Sequence, residues 1–151
     1  DVCIGNEEDA KDVFGIEAEN TDIHGGKLNY EGYKSVAKQL KDTFGFEKVA
    51  ITLRTSYSAN DNDWAAMLYD GSEYYFSKKY SVRIVDRVGG GDSFGAGLIY
   101  GLLSGKDCQA ALEFAVAASC LKHSIEGDYN MVSVDEVEKL AGGDGSGRVQ
   151  R

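Results

Sequence analysis

Between Val82 and Ser104 the chain passes from a short β-prone segment, Val82 to Val85, through Gly89-Gly90-Gly91-Asp92 into a helix of small residues from about Asp92 to Ser104. Three consecutive glycines carry no Cβ, so backbone N–H groups are free to converge on an anion, and the helix start adds its partial positive charge. A strand feeding a glycine turn and a helix belongs to α/β folds, whose ligands sit at the carboxyl ends of strands. Asp92 stands at the mouth of this anion site. An acid there repels a phosphate, and it makes chemical sense when it takes a proton from a hydroxyl attacking the phosphorus. The stretch points to phosphoryl transfer. The plain alternative is a helix N-cap at Asp92 behind a simple turn, with Ser93 either capping or lining a pocket.

Other glycine motifs do not fit. Gly89-x-Gly91 has Phe94 where a dinucleotide fingerprint needs its third glycine. Gly101 to Lys106 is one residue short of a P-loop and has Asp107 where a Ser or Thr must hold magnesium.

The rest of the pattern agrees with one α/β domain. Tyr33, Val36, Ala37, Leu40 and Phe44 recur at helical spacing in Glu31 to Phe44, with Lys34, Lys38 and Lys41 on the outer face and Gly45 as the stop. Val49, Ala50, Ile51 and Leu53 follow as a buried, parallel-type strand. Trp64 to Tyr69 and Glu73 to Phe76 read as strands of a hairpin turning at Asp70-Gly71. The segment Asp107 to His123 is apolar almost all round and predicts a buried helix. Ser133 and Glu136 form a capping box for a last helix that runs to about Leu140. Gly142 to Gly147 is flexible by composition and leaves Arg148 to Arg151 as a surface tail. Val2, Cys3 and Ile4 form a strand with nothing before it, so the chain reads as cut from a longer sheet.

Composition narrows the class. The 151 residues carry 16 Lys plus Arg against 25 Asp plus Glu, a net charge of -9, which disfavours nucleic acid and anionic lipid as partners. Cys3, Cys108 and Cys120 contain no C-x-x-C pair, and the latter two fall in a predicted helix, as buried thiols of a reducing, cytoplasmic setting do. Ala110 to Leu121, the longest apolar stretch, is too short to cross a bilayer. His24 reads as a surface residue in the Gly25-Gly26 turn, and His123 as a cap of the last helical carbonyls. Tyr74, Tyr75 and Phe76 read as half-buried hairpin residues.

Asp86-Arg87-Val88-Gly89-Gly90-Gly91-Asp92-Ser93-Phe94 resembles the second signature of the ribokinase (PfkB) family of sugar kinases, D-T-x-G-A-G-D-x-F. Within that family, Ile4-Gly5-Asn6-Glu7-Glu8-Asp9-Ala10, Ala50-Ile51-Thr52-Leu53-Arg54, Cys120-Leu121-Lys122-His123 and the segment Gly142 to Arg151 look most like 2-keto-3-deoxygluconate kinases. The resemblance implies a ribokinase-like α/β fold with a mostly parallel sheet flanked by helices, of which residues 1 to 151 are the C-terminal, nucleotide-binding and catalytic-base half. It implies Asp92 as the base and the amides of Gly89, Gly90 and Gly91 as the anion hole for the γ-phosphoryl group of ATP. Asn6 matches the Asn of the family's N-x-x-E motif, which supports Mg2+ through water, and the acid of that motif is Asp9 here. For both residues the plain alternative is a helix cap.

The same resemblance puts Thr52 and Arg54 at a strand end in the ATP site, Arg54 replacing a common Gly and either pairing with phosphates or standing in solvent. It puts Val116 where an Asn often borders the adenine, so contact there is apolar at best. Asp86 either organises a monovalent cation or the base loop, or simply ends a strand. Family kinases are much longer than this chain, and their N-terminal half carries most sugar contacts and a β-sheet lid. A complementary N-terminal segment or self-association is therefore expected. The activity implied is transfer of the γ-phosphoryl of ATP to the primary hydroxyl of 2-keto-3-deoxygluconate. The alternative is a non-catalytic nucleotide-binding or interaction fragment.

Overall fold

The computed structural model describes residues 1–17 and 30–143. The expectations for His24 and for the tail beyond residue 143 lie outside the described residues. In chain order the elements are β1 (Val2–Gly5), α1 (Glu7–Phe14), α2 (Tyr30–Phe44), β2 (Lys48–Ser56), β3 (Asp61–Tyr69), β4 (Tyr74–Phe76), β5 (Tyr80–Arg83), α3 (Gly90–Leu103), α4 (Cys108–Lys122) and α5 (Val134–Gly142).

The five strands form one mixed sheet in the order β1-β2-β3-β4, with β5 also paired to β3. Helices flank it, as the α/β reading requires. The parallel character expected of the sheet is present at one pairing, β1 beside β2, with Val2 opposite Lys48 and Gly5 opposite Ile51. The other three pairings are antiparallel. The reason is local: short connections after β2 and β3 turn the chain straight back, which a parallel crossover of a dozen or more residues does not allow.

Alternation along β2 divides the core in two. Val49, Ile51 and Leu53 face α2, where Val36, Ala37 and Leu40 from the predicted helical stripe meet Ala65 and Met67 of β3. Ala50 faces the other way, joining Trp64, Ala66, Leu68 and Tyr80 beneath Phe94 and Leu98 of α3 and Leu112 and Val116 of α4. Phe94 and Leu98 have no solvent exposure. Burying each contributes roughly 1.5–3 kcal/mol relative to leaving it in water.

The two helices approach closely because α3 is built of small residues. A Cβ on Gly97 would stand 2.9 Å from Ala115 Cα, and one on Gly101 would stand 2.8 Å from Ala111 Cα. Outside α4, Val137 of α5 closes a third apolar cluster with Phe114, Ala117 and Leu121. The Ser133–Glu136 capping box is present, with the Ser133 amide donating to Glu136 Oε2 at 2.8 Å.

The hairpin between β3 and β4 turns at Asp70-Gly71 as expected. Its Asp70 carboxylate accepts the amides of Ser72 and Glu73, each at 2.8 Å. β3 begins earlier than its apolar pattern, at Asp61, because Asn62 and Asp63 are buried by polar partners. Ser56 Oγ donates to Asn62 Oδ1, and Tyr57 and Ser81 donate to the two Asp63 oxygens, each at 2.7 Å.

Candidate active site

β5 leads into a loop, Ile84 to Gly89, whose glycine turn opens α3. The helix starts at Gly90, two residues before the predicted position, and its N-cap is Gly89, not Asp92. Asp92 is therefore the third residue of the helix. Its carboxylate is exposed and caps nothing, which removes the plain reading of this acid as an N-cap. Ser93 does not cap either; it is buried, with its amide donating to Gly89 O at 2.9 Å.

Gly89 has φ +80°, and a Cβ there would lie 2.1 Å from the Asp128 carbonyl oxygen, so only glycine fits. The Gly90 amide turns back to Arg87 O at 3.2 Å. Among the described residues no partner is found for the Gly91 and Asp92 amides, which are orphan donors of the first helical turn. Space beside Gly91 is open, with no atom within 4 Å of where its Cβ would be. Of the Gly89, Gly90 and Gly91 amides read as an anion hole, that of Gly90 is thus turned inward, and the amides left without a partner among the described residues are those of Gly91 and Asp92.

Ser119 of α4 and His123, the residue that ends it, hold the turn from behind. The buried Ser119 hydroxyl donates to Gly90 O at 2.8 Å. His123 Nδ1 lies 2.7 Å from Ser119 O, so Nδ1 carries the proton and the ring caps the helix end as read from the sequence. Its other edge packs on Gly90, and Trp64 meets the ring edge-on, centroids 4.8 Å apart. Burial pulls the imidazole below its ordinary pKa; the Ser119 carbonyl opposes this, and the charges of Lys122, Arg87 and Arg54 reinforce it. The His123 carbonyl accepts the Val85 amide at 2.8 Å, tying the strand end to the helix end. Ser119, Lys122 and His123 share one helical face at i, i+3 and i+4. That polar triplet in an otherwise apolar helix was the available signal for them, and only His123 was read from it.

Asp86 braces the same loop. Its Oδ1 accepts the Val88 amide at 3.0 Å and its Oδ2 the Gly127 amide at 2.9 Å. These two amides hold its pKa below the usual carboxylate range. The Arg87 guanidinium donates to Ala59 O.

The remaining predicted site residues stand as follows. Asn6 and Asp9 form a capping box at the start of α1, just past the carboxyl end of β1. The Asp9 amide donates to Asn6 Oδ1 at 2.9 Å and the Asn6 amide to Asp9 Oδ2 at 2.8 Å. The helix-cap alternative is therefore realised. Asp9 is exposed, and Oδ1 stays outside the box, which suits the water-mediated contacts magnesium makes when phosphates supply its other ligands. Among the described residues no group of three or more His, Cys, Asp or Glu is placed to hold a metal ion by itself. β2 runs on to Ser56, so the strand end expected at Thr52 to Arg54 lies further along: Thr52 is half-buried in mid-strand, and Arg54 is exposed two residues before the end. Both lie on the same face of the strand as Ala50, the face covered by α3 and α4, with Arg54 opposite Trp64 in register. Val116 is fully buried in the core beneath α4 and presents no surface to a nucleotide.

Asp92 and Ser93 also form one side of an open cavity of about 380 Å³ bounded by Tyr100, Phe114, Asn130 and Val132. No helix is long and apolar enough to cross a membrane among the described residues.

With an exposed acid in the first turn of a helix opened by glycines, the comparison with known proteins is decisive. The sequence pattern of the pfkB family of carbohydrate kinases matches residues 1–136. The chain belongs to the pfkB family. Over 111 residues it is 31% identical to the 2-dehydro-3-deoxygalactonokinase of Haloferax volcanii, a match covering 73% of this chain and 32% of that kinase. Its fold superposes on the crystal structure of the 2-dehydro-3-deoxygluconokinase of Thermotoga maritima with TM-score 0.86 and 48% identity, covering 95% of this chain and 41% of that one. A PfkB family carbohydrate kinase from Listeria grayi gives TM-score 0.77 at 32% identity, with 95% and 41% covered. This pfkB chain thus spans well under half the length of these relatives.

Proposed function

We propose that this chain is the nucleotide-binding and catalytic-base half of a sugar-acid kinase that transfers the γ-phosphoryl group of ATP to the primary hydroxyl of 2-keto-3-deoxygluconate. The substrate class comes from the likeness to the Thermotoga maritima enzyme, whose 2-dehydro-3-deoxygluconate is the same sugar acid under another name. The observation that carries the chemistry is the pairing of an exposed Asp92 carboxylate with the Gly91 and Asp92 amides of the same helical turn, all without a partner among the described residues.

In this reading the amides receive the oxygens of the transferred phosphoryl group and the helix dipole favours the negative charge that builds there. Asp92 takes the proton of the sugar hydroxyl as its oxygen attacks the γ-phosphorus and the bond to the β-phosphate oxygen breaks. Because Asp92 is on the first helical turn and the turn is clamped from α4, base and anion hole keep a fixed spacing through the step. Asn6 and Asp9 would hold Mg2+ through water, and the ion would neutralise the β- and γ-phosphates. Thr52 and Arg54 border the path of the polyphosphate, and Arg54 adds charge to it. Most sugar contacts belong to a segment this chain does not contain. The observation favouring a second reading, a nucleotide-binding fragment without catalysis, is the coverage of 41% of the Thermotoga maritima kinase.

The test is ATP consumption with 2-keto-3-deoxygluconate and magnesium. It compares the chain alone, the chain with a supplied N-terminal segment, and that pair carrying Asp92→Asn. Turnover only in the paired sample, reduced about a thousandfold by Asp92→Asn with ATP binding retained, is the expected result. No turnover from a paired sample that is folded and binds ATP would overturn the sugar-acid assignment and leave the second reading.

A further inference from the structure

Lys122, the last residue of α4, has no solvent exposure. Its Nζ donates to Ile125 O at 3.0 Å, and among the described residues it has no ion-pair partner. An ammonium carries three donors, so two are left over, and a buried charge with so little compensation is costly to keep. Methionine would fill the same space without that cost.

The place of the charge supplies a reason. The end of its stem runs beneath the turn, with Cε 3.2 Å from the position of a Cβ on Gly89. Its field reaches Asp86, where it adds to the backbone amides in favouring the carboxylate. Asp86 and Asp92 both border this turn, the Asp128 carbonyl oxygen crowds Gly89, and a bound phosphate adds more negative charge. Arg87 is spent on the Ala59 carbonyl and Arg54 is exposed, which makes Lys122 the buried cation of the region.

We infer that Lys122 is a positioning residue for phosphoryl transfer: its buried ammonium lies behind the Gly89–Gly91 turn, fixing the turn and offsetting a phosphate bound on its outer side. This rests on the reading of the turn as the phosphate site. A purely structural lysine would matter equally for every ligand; a lysine that acts through its charge matters in proportion to the phosphate.

The experiment titrates the chain, with magnesium present, with ATP and separately with adenosine at fixed ionic strength. Lys122→Met, close in volume and uncharged, is expected to bind ATP at least about tenfold more weakly while adenosine binding stays within about twofold. Lys122→Ala leaves a void beside the Ile125 carbonyl, and added ammonium or potassium ion is expected to restore its ATP affinity. An unchanged ratio of ATP to adenosine affinity in both variants overturns the inference. Should the variants fail to fold, the unaltered chain labelled with 15N at lysine provides the second reading. Its Lys122 Nζ resonance is expected to move on adding inorganic pyrophosphate and to ignore adenosine, and a resonance that ignores both overturns the inference too. An unaltered chain that binds neither ATP nor pyrophosphate instead overturns the phosphate-site reading itself, and the role of Lys122 falls with it.

Discussion

The imidazole of His123 lies against Gly90 so closely that a Cβ on Gly90 would stand 2.9 Å from both Cε1 and Nε2. Gly90→Ala must push a buried ring that is already held by Trp64 and Ser119, and a cost of about 1–3 kcal/mol is expected. A Cβ on Gly91 would point elsewhere, with none of the described atoms outside its own helix within 4 Å. Gly91→Ala is therefore expected to leave stability unchanged or slightly raised, by up to about 1 kcal/mol, and to weaken ATP binding by placing a methyl group where the phosphate approaches. Urea denaturation and ATP titration of the two variants check this contrast; equal loss of stability in both would contradict it.

A second expectation concerns pH. Because burial depresses the His123 pKa, the unfolded chain takes up that proton first as pH falls below about 6.5. The group's contribution is full above that value and declines as pH drops toward the folded-state pKa. The denaturation midpoint is expected to fall between pH 7.5 and pH 5.5, and to fall less in His123→Gln. An identical pH profile for the two proteins would show that the ring is not the titrating group.

Asp86→Ala frees the amides of Val88 and Gly127 together and unties the loop from the segment after α4. ATP affinity is expected to drop several-fold and proteolytic cleavage after Arg87 to quicken, with Asp86→Asn, which retains one acceptor, falling between. Unchanged cleavage in the alanine variant would mean that the Gly89–Asp128 contact holds the loop without help.

β1 is paired on one edge among the described residues, and its Val2 and Ile4 are 39% and 37% exposed. Gly95 of α3 approaches Ile4, and the same helical stripe continues through the exposed Ile99 and Leu103. A free strand edge beside an apolar stripe is a surface for another chain. The chain alone is expected to self-associate in sedimentation velocity, and Ile4→Lys or a supplied N-terminal segment to reverse it. A chain that stays monomeric at every concentration would show the edge to be harmless.

Where the sequence was readable, one physical signal dominated. The stripe of α2, the Asp70-Gly71 turn and the Ser133–Glu136 box each state their structure within a few residues. β3 was read short because Asn62 and Asp63 are buried by the hydroxyls of Ser56, Tyr57 and Ser81, which lie outside β3, so no apolar alternation announces them. α3 was read late because glycine is a poor helix former, and Gly90 and Gly91 join the helix only because Ser119 and His123 hold the turn in place. Antiparallel pairing was hidden for a similar reason: a strand buried on both faces carries the same apolar run in either direction. Among the candidate site residues, Asp92 and Asp86 stood out by their place beside the glycines. Lys122 did not, since a lysine at a helix C-terminus is normally a solvated end.

The close fit of Gly97 and Gly101 against Ala115 and Ala111 has a further consequence. α3 carries Asp92 at its start and α4 carries Ser119, Lys122 and His123 at its finish, so the spacing of the chemical groups is inherited from how two helices mesh near their middles. Sliding one helix past the other by a single residue would displace these groups by about 1.5 Å. The interlock thus acts as a jig, with tolerances set far from solvent.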